Sequence, residues 1–168
     1  MVSRAVSALL FVLAMGLLLI PGTSSAKEKT PVGTVENVIL LPWGIKLPAR
    51  IDTGASKSSL GALDLKVDGE IAEFKLPPEY SQLQFRLPIV EWRHVRSPGG
   101  RERRPVVEIE ICLGSKRIRA KVNITDRSQM KYPLIVGRNV LREDFVVDVK
   151  RAYVAKPDCI HESDGQGR

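Results

Sequence analysis

The sequence predicts an all-β, barrel-like fold in a single domain with one short helix near its C-terminal end. Three observations predict it. Apolar and polar residues alternate over short runs, as half-buried strands require. These runs recur at regular spacing, separated by turns rich in Gly, Pro and Asp. After the N-terminal leader, almost nothing has helical spacing. The 168 residues suffice for one domain with a real core. Only 5% are aromatic, so aliphatic residues must fill that core.

Taken in order, the chain opens with a targeting segment. Arg4 gives a short positive region, Ala8 to Ile20 is apolar apart from Gly16, Pro21-Gly22 breaks the run, and Ser24-Ser25-Ala26 supplies small residues for cleavage. Residues 1–26 therefore read as a secretory signal peptide, which places the domain in the periplasm or outside the cell. Membrane contact would come only through a signal segment left uncleaved. Residues 27–31 read as a linker, 32–154 as the folded domain and 155–168 as a flexible tail.

Within the domain, Val32 to Leu41 is β-prone and Pro42-Trp43-Gly44 is a turn. Ile45, Leu47, Ala49 and Ile51 alternate with polar positions as a half-buried strand. Leu63 to Val67 and Ile71 to Phe74 form a hairpin about Asp68-Gly69. Residues 85–96 and 103–113 make a longer hairpin whose tip is Ser97-Pro98-Gly99-Gly100. Ile118, Ala120, Val122 and Ile124 point inward, and Arg117, Arg119, Lys121 and Asn123 form a basic outward stripe. Tyr132 to Val136 is a short buried strand, Gly137-Arg138-Asn139-Val140-Leu141 opens a brief helix, and Phe145 to Val149 with Ala152 to Val154 close the sheet. Cys112 and Cys159 are the two cysteines. Cys112 falls on the polar side of its strand, and an exported compartment permits a bridge that clips the tail.

The net charge of +7 favours an acidic partner. Nucleic acid fits poorly, because no block of Lys and Arg forms an arm and no aromatics are interleaved for base stacking. The two histidines, His94 and His161, make no His-Glu-x-x-His, so the sequence supports no metal site, and nothing in it calls for a cofactor.

The chemistry lies at Ile51-Asp52-Thr53-Gly54-Ala55-Ser56. Asp52 comes at a strand end, and Gly54 lets the backbone turn under its carboxylate. Such a carboxylate suits chemistry in which two share one proton and activate a water. A second stretch, Leu134-Ile135-Val136-Gly137-Arg138-Asn139-Val140-Leu141, stands far downstream. Together with the glycine-tipped hairpin between them, the pair resembles the retropepsins, single-domain aspartic peptidases with a closed barrel. A closer resemblance covers residues 33–154. It is to the bacterial retropepsin-like family often labelled ATP-dependent zinc proteases. It rests on Ala49 to Ala55, Arg96-Ser97, Arg103 to Val107, Asp126 to Met130 with Tyr132-Pro133, Gly137-Arg138 and Val147-Asp148. The label fits less well than the motifs: there is neither a zinc motif nor a Walker loop.

The resemblance implies an aspartic endopeptidase acting on a peptide or protein, an acidic one by the charge balance. Asp52 would be the catalytic carboxylate. Thr53 would brace the turn against the opposite subunit's turn, and Gly54 would shape the floor. Ala55, Ser56, Gly99, Gly100 and Arg138 would meet substrate. One Asp-Thr-Gly per chain implies a homodimer sharing two Asp52 carboxylates. Ser56 stands where viral members often carry a second Asp that pairs with the Gly-Arg arginine, so Arg138 needs another anion, Asp126 or Asp148, or else faces substrate. Arg96, Arg101, Arg103 and Arg104 on the hairpin would hold an acidic substrate or simply keep the hairpin soluble. The alternative is a non-catalytic binding or regulatory module of the cell envelope on the same fold. A metal-dependent hydrolase, as the label suggests, is a third.

Overall fold

The computed structural model describes residues 27–97 and 100–159. The expected signal peptide, Gly99 of the hairpin tip and residues 160–168 lie outside the described residues. The chain builds β1 (Thr30–Val32), β2 (Val35–Leu41), β3 (Ile45–Ile51), β4 (Ser58–Gly61), β5 (Leu63–Asp68), β6 (Ile71–Lys75), β7 (Gln84–Ser97), β8 (Gly100–Leu113) and β9 (Lys116–Thr125). β10 (Leu134–Val136), α1 (Arg138–Asp144) and β11 (Phe145–Val147) follow.

Nine strands form one sheet in the order β2-β3-β10-β4-β9-β8-β7-β6-β5, and a further pairing of β2 with β8 closes six of them into a barrel. Closure abolishes the edges of those six strands. The hairpins β5–β6 and β7–β8 extend from the barrel wall. Inward positions of each strand fill the core: Leu47 and Ala49 of β3, Val107, Ile109 and Ile111 of β8, and Val122 and Ile124 of β9 are all buried. Phe74, Phe85 and Trp43 pack at one end, with Phe85 stacked on Phe74 and edge-on to Trp43. The expected all-β closed barrel, with one helix among the described residues, is thus the observed fold.

Four expectations need correction. Residues 27–31 are not a free linker. Thr30 and Pro31 already belong to β1, which runs parallel to β11, and Lys29 Nζ donates to the Arg142 carbonyl at 2.6 Å. The stretch Ala152–Val154 is not a strand, since Tyr153 has a φ of 56°. Instead residues 148–159 form a strap across the barrel, with Tyr153 N donating to Val35 O at 2.7 Å. The tail is anchored as far as Cys159, because Cys112 and Cys159 are bridged with their Cα atoms 5.9 Å apart. Cys112 is buried rather than on a polar side, since the strap covers that face in a small cluster with Ile39, Leu41 and Cys159.

The outward stripe of β9 also changes character. Arg117 and Arg119 pair with Glu110 and Glu108 on adjacent β8, and Lys121 with Glu91 on β7 beyond it, at 3.3–3.5 Å. Such cross-strand pairs neutralise the stripe and leave no basic surface there. Asn123, expected outward and solvated, is buried, because Ser59 and Ser58 supply partners for its amide.

The strap is held by a carboxylate as well as the disulfide. Glu36 of β2 is fully buried. It accepts hydrogen bonds from Gly33 N (2.6 Å) and Val154 N (3.0 Å) on Oε1, and from Ala155 N (3.1 Å) on Oε2. One side chain thus ties the entering and leaving segments of the chain to the barrel.

Candidate active site

β3 and β10 run in parallel, with Ile51 opposite Val136. Asp52 continues that ladder by donating its backbone N–H to Val136 O at 2.9 Å, and the chain then leaves the barrel in a tight loop. The loop curls back under the carboxylate. Asp52 Oδ1 accepts from Gly54 N at 3.0 Å and Ala55 N at 3.1 Å. Only Oδ1 is engaged. Oδ2 of this half-buried carboxylate has no hydrogen bond among the described residues. Two amide donors on one oxygen fix the direction of the other.

The floor beneath the loop comes from the second motif. Gly137 approaches so closely that a Cβ there would sit 2.6 Å from the Lys57 carbonyl carbon, which no side chain allows. Its N–H donates to Ser58 Oγ at 3.1 Å. Ser58 N and Oγ both donate to Asn139 Oδ1, at 2.8 and 3.0 Å, and Asn139 Nδ2 donates to Lys121 O. Arg138 N donates to Ala55 O at 2.9 Å. The first turn of α1 therefore locks β4, β9 and the Asp52 loop into one unit.

Arg138 finds neither expected anion. Asp126 accepts from Ser128 and Asp148 from Lys150 and Arg151. Arg138 Nη1 instead donates to the carbonyls of Thr53 (2.8 Å) and Gly54 (2.7 Å). It thereby braces the loop through two of its carbonyls. With Ser56 in place of a second carboxylate, backbone oxygens take over as its acceptors.

Thr53 is exposed and lines an open, largely apolar groove of about 420 Å³ with Arg138, Leu141, Arg142, Phe145, Val146 and Val147. Thr53, Gly54, Ala55 and Ser56 follow Asp52 on the loop, with Ala55 half-buried and Ser56 exposed. Gly100 begins β8 at the far end of the long hairpin, opposite Ser97 and distant from Asp52 in register.

The Gly-Arg-Asn stretch, the Asp-Thr-Gly-Ala loop and the hairpin between them now sit on one closed barrel. The family model for the retropepsin-like aspartic endopeptidase RimB matches residues 31–158. The chain belongs to the RimB-like family. The matched span includes Asp52, its loop, Gly137 to Asn139 and the strap almost to Cys159.

Sequence similar to this chain also occurs within longer proteins. A probable alpha-L-glutamate ligase of Shewanella pealeana is 28% identical over 116 residues, which is 64% of this chain and 25% of that protein. One of Parasynechococcus marenigrum is 28% identical over 122 residues, 66% of this chain and 26% of that protein. The chain thus spans about a quarter of the length of these curated relatives. Among solved structures, a Legionella pneumophila protein of unknown function matches with a TM-score of 0.65 at 30% identity, over 77% of this chain and all of that one.

The site also contains groups that the motif search passed over. Asn139 and Ser58 form its main polar junction. Asn139 stood inside the Gly-Arg-Asn motif, but nothing in the sequence coupled it to Ser58. Arg127 is held below its ordinary value, first by burial and then by the nearby charges of Arg104 and Arg50, with Asp52 opposing them. No group of three or more His, Cys, Asp or Glu among the described residues could hold a metal ion.

Proposed function

We propose that this protein is an aspartic endopeptidase, exported, whose active site is completed by a second copy of the chain. The single observation that carries the proposal is the asymmetric wiring of Asp52, with Oδ1 fixed by two amides and no hydrogen bond to Oδ2 among the described residues. Exposed Thr53 beside it, and the apolar groove that Thr53 lines, support a neighbour at this face.

Two such carboxylates at close range cannot both ionise and hold one proton between them. The ionised member takes a proton from water, and the water oxygen bonds to the peptide carbonyl carbon. The protonated member donates to the carbonyl oxygen as negative charge develops there. Collapse breaks the C–N bond, and a proton passes to the leaving amine. Arg138 keeps the loop carbonyls, and through them Asp52, in place.

The substrate is an acidic peptide. The net charge of +7 suits one. So do the similar stretches within proteins named probable alpha-L-glutamate ligases.

Cleavage of an acidic peptide library by the purified protein, with and without Asp52→Asn, tests the reading. The variant should lose on the order of 10³-fold in kcat/KM, the scale of a removed general acid–base group. Equal cleavage by both proteins would reject the aspartic mechanism, and no cleavage by the wild type would favour a binding module. Chelator should leave the rate unchanged.

A further inference from the structure

The long hairpin β7–β8 carries opposite electrostatics on its two faces where it leaves the barrel wall. Side chains alternate along each strand. Register sets Trp92 opposite Pro105, His94 opposite Arg103 and Arg96 opposite Arg101. Partners in register share a face, so these residues form one side of the ribbon. Glu91, Arg93, Glu102 and Arg104 form the other.

The Glu102–Arg104 side is turned toward the barrel. Arg104 Nη1 reaches Asn123 Oδ1 at 3.5 Å, and Thr125 Oγ1 donates to Glu102 Oε1 at 3.5 Å, both on β9. Charges on this side cancel. Arg93 pairs with Glu91 at 3.6 Å and Arg104 with Glu102 at 2.7 Å.

The opposite side faces away from β9 and is open to solvent. Trp92, His94, Arg96, Arg101 and Arg103 are all exposed, and Val90 beside them is 46% exposed. Neither strand places an acidic residue on this side. Arg96, Arg101 and Arg103 have no ion pair among the described residues. Arg103 instead lies over the Trp92 ring, 4.1 Å from its centroid, as a cation–π contact. His94, Arg96 and Arg101 line an open depression of about 250 Å³. Like charges directly opposite on a ribbon are unfavourable. A merely solvated ribbon mixes both signs, as the β9 stripe and this hairpin's other side do. An exposed indole set among unneutralised guanidinium groups fits a different surrounding.

We propose that this side of the hairpin docks on the anionic headgroups of a lipid bilayer. Arginine offers a planar fork of donors to phosphate, and a cluster of cations is drawn to an anionic leaflet. Trp92 and Val90 supply the apolar part, and an indole settles at headgroup level because one end of it is apolar and the other polar. The ribbon presents cations and indole on one face, which suits a planar partner. The sequence points independently to a membrane, since the apolar run Ala8 to Ile20 precedes the domain. Docking through the side turned away from β9 leaves the barrel-facing side of the hairpin free. The inference goes beyond the peptidase reading and does not depend on it.

The test uses the full chain with vesicles of equal parts phosphatidylglycerol and phosphatidylcholine, and with vesicles of phosphatidylcholine alone. Sedimentation gives the partition into each. Comparing variants removes the contribution of the apolar N-terminal run, which all of them share. The wild type should favour the anionic vesicles by on the order of 100-fold at low salt, from three arginines at about fivefold each. Arg101→Gln/Arg103→Gln should lower that ratio about 25-fold. Arg117→Gln/Arg119→Gln removes the same net charge from the paired β9 stripe and should lower it no more than about threefold. Arg96→Gln alone should lower it about fivefold. Anionic vesicles should shift tryptophan emission to the blue in the wild type but not in Trp92→Phe, which keeps half-buried Trp43. Circular dichroism confirms the fold of each variant. Equal losses in the two double variants, no preference for anionic vesicles, or an unmoved emission would overturn the proposal. So would a hairpin double variant that keeps the vesicle ratio yet binds a hexa-α-glutamyl peptide more weakly, because the face would then hold an acidic peptide rather than lipid.

Discussion

Two carboxylates on neighbouring strands, Asp52 and Glu36, show how placement decides what the same group does. Both accept backbone amides from nearby segments. Glu36 is fully buried and uses both oxygens on three N–H donors, from Gly33, Val154 and Ala155. It is a fastener. Asp52 is half-buried at a strand end and uses one oxygen on two donors, which leaves the other for chemistry. The residue type does not separate a structural carboxylate from one proposed to be catalytic. The oxygen left over does.

Reciprocal substitutions would break or sharpen that contrast. Asp52→Asn should remove turnover yet shift the urea unfolding free energy by no more than about 0.5 kcal/mol, as surface changes do. Glu36→Ala should do the reverse. Three amides lose their acceptor, and at about 1–3 kcal/mol for each unsatisfied buried group the loss should reach at least ~3 kcal/mol in urea titration. Turnover per folded molecule should survive. Should Glu36→Ala cost less than ~1 kcal/mol, water replaces the carboxylate and the fastener role is wrong.

The second fastener is covalent. Replacing Cys112 and Cys159 together by Ser should destabilise by roughly 2–4 kcal/mol, with the larger part of the strap 148–159 gaining amide exchange. On the Asp52 side, Arg138→Lys keeps the charge but loses the flat guanidinium that reaches two carbonyls at once. A loss of about 1.5 kcal/mol from a charged hydrogen bond corresponds to roughly tenfold in kcat/KM, with the thermal midpoint nearly unchanged.

The smallest effect belongs to Asp148. The Lys150 amide and the Arg151 guanidinium hold its carboxyl below the ordinary value. Because the folded value lies below the unfolded one, its contribution is full above the unfolded value of about 3.9 and is lost as pH falls through the folded value. Asp148→Asn should flatten the fall of the thermal midpoint below about pH 4. An unchanged acid limb would show that the pair is inert.

What could be read in advance follows from these same regions. β3, β9 and the β5–β6 hairpin were legible because each buries one face, so their residues alternate visibly. β1 was not, since Thr30-Pro31-Val32 has no pattern and becomes a strand only by pairing with Phe145–Val147, more than a hundred residues on. Of the strap only the cysteine bridge was legible, since its other attachments, Glu36 and Val35, are distant in sequence and carry no pattern. At the site, Asp52 and Gly137 to Asn139 stood out because their chemistry is local.

The most direct test of the shared site is to mix wild-type and Asp52→Asn subunits in equal amounts, exchange them fully and measure activity. If each site needs Asp52 from both copies, random pairing leaves about one quarter of the dimers competent, and activity falls to about one quarter of an equal total of wild-type protein. If each copy acts alone, activity is about one half, and the two-carboxylate site is contradicted.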